Sequence, residues 1–295
     1  MKFTPEQQAE RRKGIGASEA AAALGVCPWK SRFQLWAEKT GKADPPDLDA
    51  VEAVEWGDIL EAVICETFAK RTGRRVHHNE GQAMEHHSKH DFMFATPDAT
   101  QMDKSPRPEI GVLQIKTTSL WRGDAWAEDA RLPYRVQVQH EMACTGRKWG
   151  TLVCLIGGQK MVHFDQERNQ KFIDAMIEEE AKFWELVTSD TPPEPDGSAA
   201  TTEVLRRLYP LDDGEIIALP AESAEWDELL VEMKLAIKQL NFEKNELQNK
   251  LKAAMGTATT GVLPSGGQYT FKSQTVNHEA REAFQSSHRV LRRKA

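Results

Sequence analysis

Two short apolar segments on either side of a proline-containing polar loop restrict the middle of this chain to extended structure. Residues 92–96 are apolar up to Pro97 and residues 110–116 alternate, which together predict a β-hairpin. Successive side chains of a strand point to opposite faces. One face of the second strand therefore carries Val112, Gln114 and Lys116, and the other carries Gly111, Leu113 and Ile115. Asp98, at the end of the first strand, is predicted to meet Gln114 and Lys116.

The composition suits a soluble protein with one large domain and an appendage, because 40% of the 295 residues are hydrophobic and 28% are charged. No apolar run is long enough to span a membrane, and residues 1–16 are too charged for a secretory signal, so we expect a cytoplasmic protein. The net charge of −7 argues against a protein that coats nucleic acid. It leaves open an enzyme that grips DNA only in a channel, since local charge attracts phosphate.

The four cysteines are dispersed in mostly apolar surroundings and form no close pair. We interpret them as reduced packing residues, with a zinc site or a disulfide framework as the alternative. They are Cys27, Cys65, Cys144 and Cys154.

A basic segment and a small-residue turn lie near the N-terminus. Residues 4–7 resemble a helix start with a capping box. Arg11, Arg12 and Lys13 precede the turn at residues 14–19, which leads into an alanine-rich helix at residues 20–24. This arrangement favours an anion site, because free N–H groups and the helix dipole attract phosphate. The alternative is a solvated basic turn in which Ser18 is an ordinary N-cap.

The following segments predict helices around a sheet. Helices are expected at residues 31–40, 55–71, 133–146 and 167–187, one strand within residues 74–85, and a hairpin at residues 150–156 and 159–164. Five histidines at positions 77, 78, 86, 87 and 90 have no metal-ligand spacing, and a surface loop is favoured over a zinc site.

Glu61 lies on an apolar helical stripe with Ile64, Cys65 and Phe68. A carboxylate there is costly unless it is paired or binds a metal. The alternative is a partly exposed residue at the edge of the stripe.

A second region follows a proline-rich linker. We predict a core at residues 1–190, a linker at 191–200 and a C-terminal extension at 201–295. Within the extension, the helix at residues 224–255 carries apolar residues at heptad spacing, which indicates packing on a partner helix or on the body of the protein itself. A β-hairpin at residues 261–276 and a basic tail at residues 289–294 complete it.

Several segments in this order resemble the YqaJ-like viral recombinases, which are related to phage lambda exonuclease and belong to the PD-(D/E)xK nucleases. The resemblance covers most of residues 11–187. It is carried by Arg11 with residues 15–19, Trp56-Gly57 with Glu61, Pro97-Asp98, Gln114-Ile115-Lys116, and Gln137-Val138-Gln139 with Met142.

This resemblance implies an α/β restriction-endonuclease-like fold with a central mixed sheet flanked by helices. It implies that Asp98, residue 114, the Ile115 carbonyl and Glu61 hold one or two Mg²⁺ ions, for which Mn²⁺ can substitute. Lys116 would orient the attacking water and Gln137 would support the site. Arg11 and Ser18 would bind the DNA 5′ phosphate.

The implied activity is processive 5′→3′ digestion of linear double-stranded DNA in phage-type recombination. The implied partners are a single-strand annealing protein and further copies of the chain in a ring, usually a trimer.

Gln114 departs from the pattern, which has an acid at this position. A neutral amide keeps one acceptor oxygen but loses a charge, so we expect weaker Mg²⁺ binding and reduced or abolished activity. It is either an introduced Glu→Gln substitution or natural variation. The alternative function is a non-catalytic DNA-end-binding protein that keeps the nuclease fold. A coiled-coil scaffold is a third possibility, which leaves Asp98, Glu61 and Lys116 unexplained.

Overall fold

The main sheet of the protein is mixed and has five strands. The computed structural model describes residues 9–47, 51–79, 83–126 and 131–275. The strands of the main sheet are β2 (Arg75–His78), β5 (Ala99–Met102), β6 (Ile110–Thr118), β7 (Trp149–Ile156) and β8 (Lys160–Glu167). Their order across the sheet is β2-β5-β6-β7-β8, in which β6 and β7 run parallel and the other neighbours are antiparallel.

The helices end where the sequence supplies stop signals. Gly73 and Gly146 follow two of them with φ of 67° and 69°, a left-handed conformation that glycine adopts at little cost. The four helices predicted at residues 31–40, 55–71, 133–146 and 167–187 are present with shifted ends. In chain order the helices of this part are α1 (Ala17–Ala23), α2 (Arg32–Lys39), α3 (Glu52–Thr72), α4 (Leu132–Thr145) and α5 (Gln170–Thr188).

Strand β6 separates two apolar layers. Leu113 and Ile115 pack on one face with Ile64, Cys65 and Phe68 of α3. Val112 packs on the other face with Val138 and Met142 of α4. The predicted alternation along this strand is therefore confirmed, as is the predicted mixed sheet flanked by helices.

The predicted hairpin has a different first strand. Strand β4 (Met93–Ala95) belongs to a separate three-stranded sheet, in which it pairs with β1 (Ile15–Gly16) and β3 (Glu85–His86). The antiparallel partner of β6 is β5, with Ala99 opposite Leu113. Proline has no N–H for a ladder hydrogen bond, so Pro97 ends one strand and the chain enters the main sheet two residues later. The single strand expected within residues 74–85 is present as β2, and β3 begins only at Glu85, the last residue of that range.

The chain divides into two compact units at a point later than the sequence predicted. The first unit is Met1–Pro210 and the second is Leu211–Ala295. Helix α6 (Ala199–Leu208) follows the proline-rich linker but packs on the first unit. Its Val204 is fully buried, and the hydroxyl of its Thr201 donates to the hydroxyl of Ser31 at 2.8 Å.

The second unit consists of one long helix and a small hairpin. Helix α7 (Ser223–Met255) has 33 residues, none of which is buried. Its apolar heptad positions are exposed to solvent in the single chain, as the 54% exposure of Trp226 and the 64% exposure of Leu240 show. The hairpin pairs β9 (Thr260–Val262) with β10 (Gln268–Thr270). The predicted helix start at residues 4–7 and the basic tail lie outside the described residues.

All four cysteines are free thiols, as expected for packing residues. Burial raises the pKa of Cys65 and of Cys154 to about 12, which keeps both thiols protonated. Among the described helices, none has both the length and the apolarity that a membrane crossing requires.

Replacement of Gly14 tests the close approach of the N-terminal segment to the residue that precedes β4. A Cβ at Gly14 would lie 2.5 Å from the Phe92 carbonyl oxygen, which accepts a hydrogen bond from the Ile15 N–H at 2.6 Å. We expect Gly14→Ala to lower the free energy of unfolding by about 1–3 kcal/mol in urea denaturation. Gly197→Ala is the control, because its Cβ would meet no atom within 4 Å. Equal stability of the two variants would contradict this packing.

Candidate active site

Asp98 directly precedes β5 and is held by hydrogen bonds to its side chain and to its backbone. One carboxylate oxygen, Oδ2, accepts a hydrogen bond from the Ile115 N–H at 2.7 Å and another, very short one from the Gln114 amide nitrogen. The Asp98 carbonyl accepts the Asn79 N–H at 2.9 Å. The predicted meeting of Asp98 with Gln114 is therefore present, although β5 rather than β4 provides the hairpin.

Asp98, Glu61 and Lys116 form one electrostatic cluster. Burial raises the pKa of Asp98 to about 7, and the negative charge of Glu61 acts in the same direction. The positive charge of Lys116 and the hydrogen bond from the Ile115 N–H oppose this rise. The predicted side chains at positions 61, 98 and 116 are thus close enough to influence one another, although they come from α3, the start of β5 and β6.

From the sequence, Glu61 is either a paired or metal-binding carboxylate or a partly exposed residue at the edge of an apolar stripe. The structure shows features of both. Its neighbours Ile64, Cys65 and Phe68 are buried, while its own side chain is 25% exposed. Its Oε2 lies 3.4 Å from Nε2 of His78. The interpretation of His78 as part of a surface loop was wrong, because it lies in β2 and faces the site. Its position in an alternating strand was the available signal.

Gln137 and Glu141 occupy successive turns of α4. The Gln137 amide nitrogen donates to Oε1 of Glu141 at 3.1 Å. Glu141 is fully buried, and its pKa is raised to about 8, first by burial and then by the charge of Asp98, against the opposing effect of Lys116. Sequence reasoning missed Glu141. The signal was an acid one turn after Gln137 in a helix whose other residues are largely buried.

Several oxygen atoms near Asp98 lack hydrogen-bond donors. Oε1 of Gln114 and Oε2 of Glu141 are buried without a partner. The Ile115 carbonyl accepts a long, 3.4 Å hydrogen bond from Gln114. Oxygen-rich surroundings of this kind fit a hard divalent cation. Across the described ranges, however, no three His, Cys, Asp or Glu side chains converge as a ready-made metal site. Strand β6 presents the Gln114 amide beside Asp98, so a cation site here would combine neutral oxygens with carboxylates.

The N-terminal turn brings Arg11 and Ser18 together. The Arg11 guanidinium lies 3.5 Å from the Ser18 hydroxyl, and Ser18 is exposed. The N-cap of α1 is Gly16, so the interpretation of Ser18 as an N-cap was wrong. Lys39, which is buried, bonds Glu19 at 2.6 Å and the Arg11 carbonyl at 2.7 Å, and so ties the turn to α2.

An aromatic stack adjoins Lys116, and the sequence had given no sign of it. The ring of Tyr134 stacks on Trp126 at 5.2 Å and on Trp29 at 5.4 Å between centroids. The Lys116 ammonium lies 5.6 Å from the Tyr134 ring, and the Arg131 guanidinium lies 5.0 Å from the Trp29 ring. Trp29 is 44% exposed at the outer end. Aromatic and cationic groups of this kind are typical of surfaces on which nucleic acid bases stack.

Two solved structures share the fold of this chain. An alkaline exonuclease from Laribacter hongkongensis is 20% identical and has a TM-score of 0.53, covering 71% of this chain and 100% of the other. The same enzyme in complex with dAMP is 22% identical with a TM-score of 0.53, covering 69% and 97%. At these identities the likeness concerns the fold.

Sequence relatives identify the family. Residues 7–148 match the YqaJ-like viral recombinase domain. The uncharacterized protein YqaJ of Bacillus subtilis strain 168 is 34% identical over 260 residues, which are 86% of this chain and 79% of that protein. The chain belongs to the YqaJ-like viral recombinase family.

The raised pKa of Asp98 predicts how the stability of the metal-free protein depends on pH. The folded state holds the Asp98 proton up to about pH 7, whereas the unfolded state releases it near pH 4, at the ordinary value of 3.8. The free energy of unfolding should therefore fall as pH rises through this window, by about 1.4 kcal/mol for each pH unit between the two pKa values. Urea denaturation in EDTA should show a steeper fall for the parent than for Asp98→Asn. The same pH slope in both proteins would contradict the buried, ionising Asp98.

Proposed function

We propose that this chain is a Mg²⁺-dependent 5′→3′ exonuclease that digests linear double-stranded DNA. In this proposal it acts in the cytoplasm of a bacterial host cell, in phage-type homologous recombination, together with a single-strand annealing protein. The observation that carries the proposal is the buried carboxylate of Asp98, which accepts the Ile115 N–H and lies within electrostatic reach of Lys116 and Glu61. Family membership and the shared fold support the same class of activity.

The residues beside Asp98 suit a metal-assisted hydrolysis. Asp98, the Gln114 and Ile115 oxygens and Glu61 would hold Mg²⁺, and Mn²⁺ can replace it. When bound, such an ion stabilises negative charge on the attacking and leaving oxygens of a phosphodiester. Lys116 extends from β6 past the Tyr134 ring and holds the attacking water, while Gln137 fixes a neighbouring carboxyl group on α4.

The N-terminal turn would give the enzyme its direction. Arg11 and Ser18 present a guanidinium and an exposed hydroxyl side by side, which suits the 5′ phosphate of a DNA strand. The stacked rings of Trp29 and Tyr134 would support the bases of the same strand beside Lys116.

The proposed working form is a ring of copies, most simply a trimer. The exposed apolar stripe of α7 offers a surface for a helix of another copy or of the annealing protein. Removal of the residues after Pro210, where the first unit ends, separates these two roles, because a lower oligomer mass supports the first and an unchanged mass supports the second.

A non-catalytic DNA-end-binding protein is the second candidate, and Gln114 is the observation that favours it. The amide donates to Asp98 and so occupies an oxygen that a cation would use. DNA-end binding with no binding of Mg²⁺ or Ca²⁺ in calorimetry would support this candidate over the nuclease.

Restoring an acid at position 114 should raise the nuclease activity. A carboxylate adds a full charge beside Asp98 and removes the amide donor, so Gln114→Glu should digest linear duplex DNA at least about tenfold faster with Mg²⁺, a gain of about 1.4 kcal/mol. Asp98→Asn in the same background is the control and should be inactive. Equal rates for the parent and Gln114→Glu would contradict the proposed effect of the amide.

Arg11 should determine the preference for phosphorylated ends. In the Gln114→Glu background, digestion of 5′-phosphorylated duplex should exceed digestion of 5′-hydroxyl duplex, and Arg11→Ala should remove this difference because a charged hydrogen bond is lost. Arg12→Ala is the matched control, since Arg12 is the exposed neighbour. A preference that survives Arg11→Ala would place the phosphate elsewhere.

A further inference from the structure

Gln114 of β6 and Glu141 of α4 are both buried, and the two elements that carry them pack against each other. Gln114 lies on the same face of β6 as Val112 and Lys116, and Val112 packs against Val138 of α4. Glu141 extends from α4, one turn beyond Gln137. Gln114 is 2% exposed and Glu141 is 0% exposed, so both side chains are buried.

Both side chains keep one oxygen without a donor. The amide nitrogen of Gln114 is used by Asp98, which leaves Oε1 unpaired. Oε1 of Glu141 accepts from Gln137, which leaves Oε2 unpaired. Buried polar atoms nearly always have partners, so two unpaired oxygens in one layer can accept a further donor or bind a cation.

The carboxyl group of Glu141 is electrostatically connected to the candidate site. Asp98 and Lys116 are near enough to act on its ionisation, in opposite directions. The hydrogen bond from Gln137 holds one oxygen and fixes the orientation of the other.

We propose that Glu141 supplies a further carboxylate to the divalent-cation site, so that α4 carries the acid that β6 lacks at position 114. This inference rests on the proposed function and assigns a ligand to it. Glu141 then adds its negative charge to those of Asp98 and Glu61, and Gln114 contributes a neutral oxygen after its amide turns from Asp98. Gln137 is a positioning residue that holds Glu141. The ligand class is a hard cation with oxygen ligands, Mg²⁺ or Mn²⁺.

Moving the charge between the two positions tests this assignment. Mn²⁺ binding to the metal-free full-length chain is measured by calorimetry at pH 8 for the parent, Glu141→Gln, Gln114→Glu and the double variant. Glu141→Gln should bind on the order of ten- to a hundredfold more weakly than the parent. The double variant carries the acid on β6 instead of α4 and should recover affinity to within about threefold of the parent. Gln114→Glu, which adds a fourth acid to Asp98, Glu61 and Glu141, should bind most tightly.

A second buried acid provides the control for a change of charge in the core. Glu180 is as buried as Glu141 and also keeps Oε2 without a partner, but its Oε1 pairs with His140 at 2.9 Å. Glu180→Gln should leave Mn²⁺ affinity unchanged, and thermal melting of each metal-free variant checks that it is folded.

Two results would overturn the assignment of Glu141. One is parent-like Mn²⁺ affinity in Glu141→Gln, and the other is a double variant as weak as Glu141→Gln. In both cases the parent still binds metal, so the proposed nuclease site would stand without Glu141. Absence of Mn²⁺ binding in both the parent and Gln114→Glu would overturn the proposed function together with this inference.

Discussion

The candidate site depends on the burial of the Asp98 carboxylate against the backbone of β6. Its Oδ2 accepts the Ile115 N–H at 2.7 Å, so the position of this acid is set by the sheet itself. A buried carboxylate requires compensation from donors or cations. Lys116 and the Ile115 N–H provide part of it, while Glu61 adds to the cost. Helices α3 and α4 cover the two faces of β6, and each brings one further carboxyl group to the same region.

Placing the acid on a helix instead of a strand changes the meaning of Gln114. A hard cation responds to the charge and the position of oxygen atoms, and the element that carries them is immaterial. In isolation, an amide beside Asp98 indicates a weakened site. With Glu141 across the layer, the charge of the site is retained, and natural variation becomes a sufficient explanation for Gln114.

Much of this arrangement could be predicted from local patterns in the sequence. The period of two along β6 placed Gln114 and Lys116 on one face, and glycine stops located the ends of α3 and α4. The partner of β4 could not be predicted, because three apolar residues before Pro97 carry no information on which of two sheets they join. The packing of α6 on the first unit could not be predicted either, because the burial of Val204 depends on residues far away in the chain. Glu141 was missed because its significance lies in what faces it across the layer.

A crystal structure of the metal-soaked parent protein, with the anomalous signal of Mn²⁺, tests the central claim most directly. The account predicts one peak at bonding distance, about 2.0–2.3 Å, from oxygens of both Asp98 and Glu141. A peak bound by Asp98 and Glu61, with Glu141 still attached to Gln137 and distant from the metal, would contradict it.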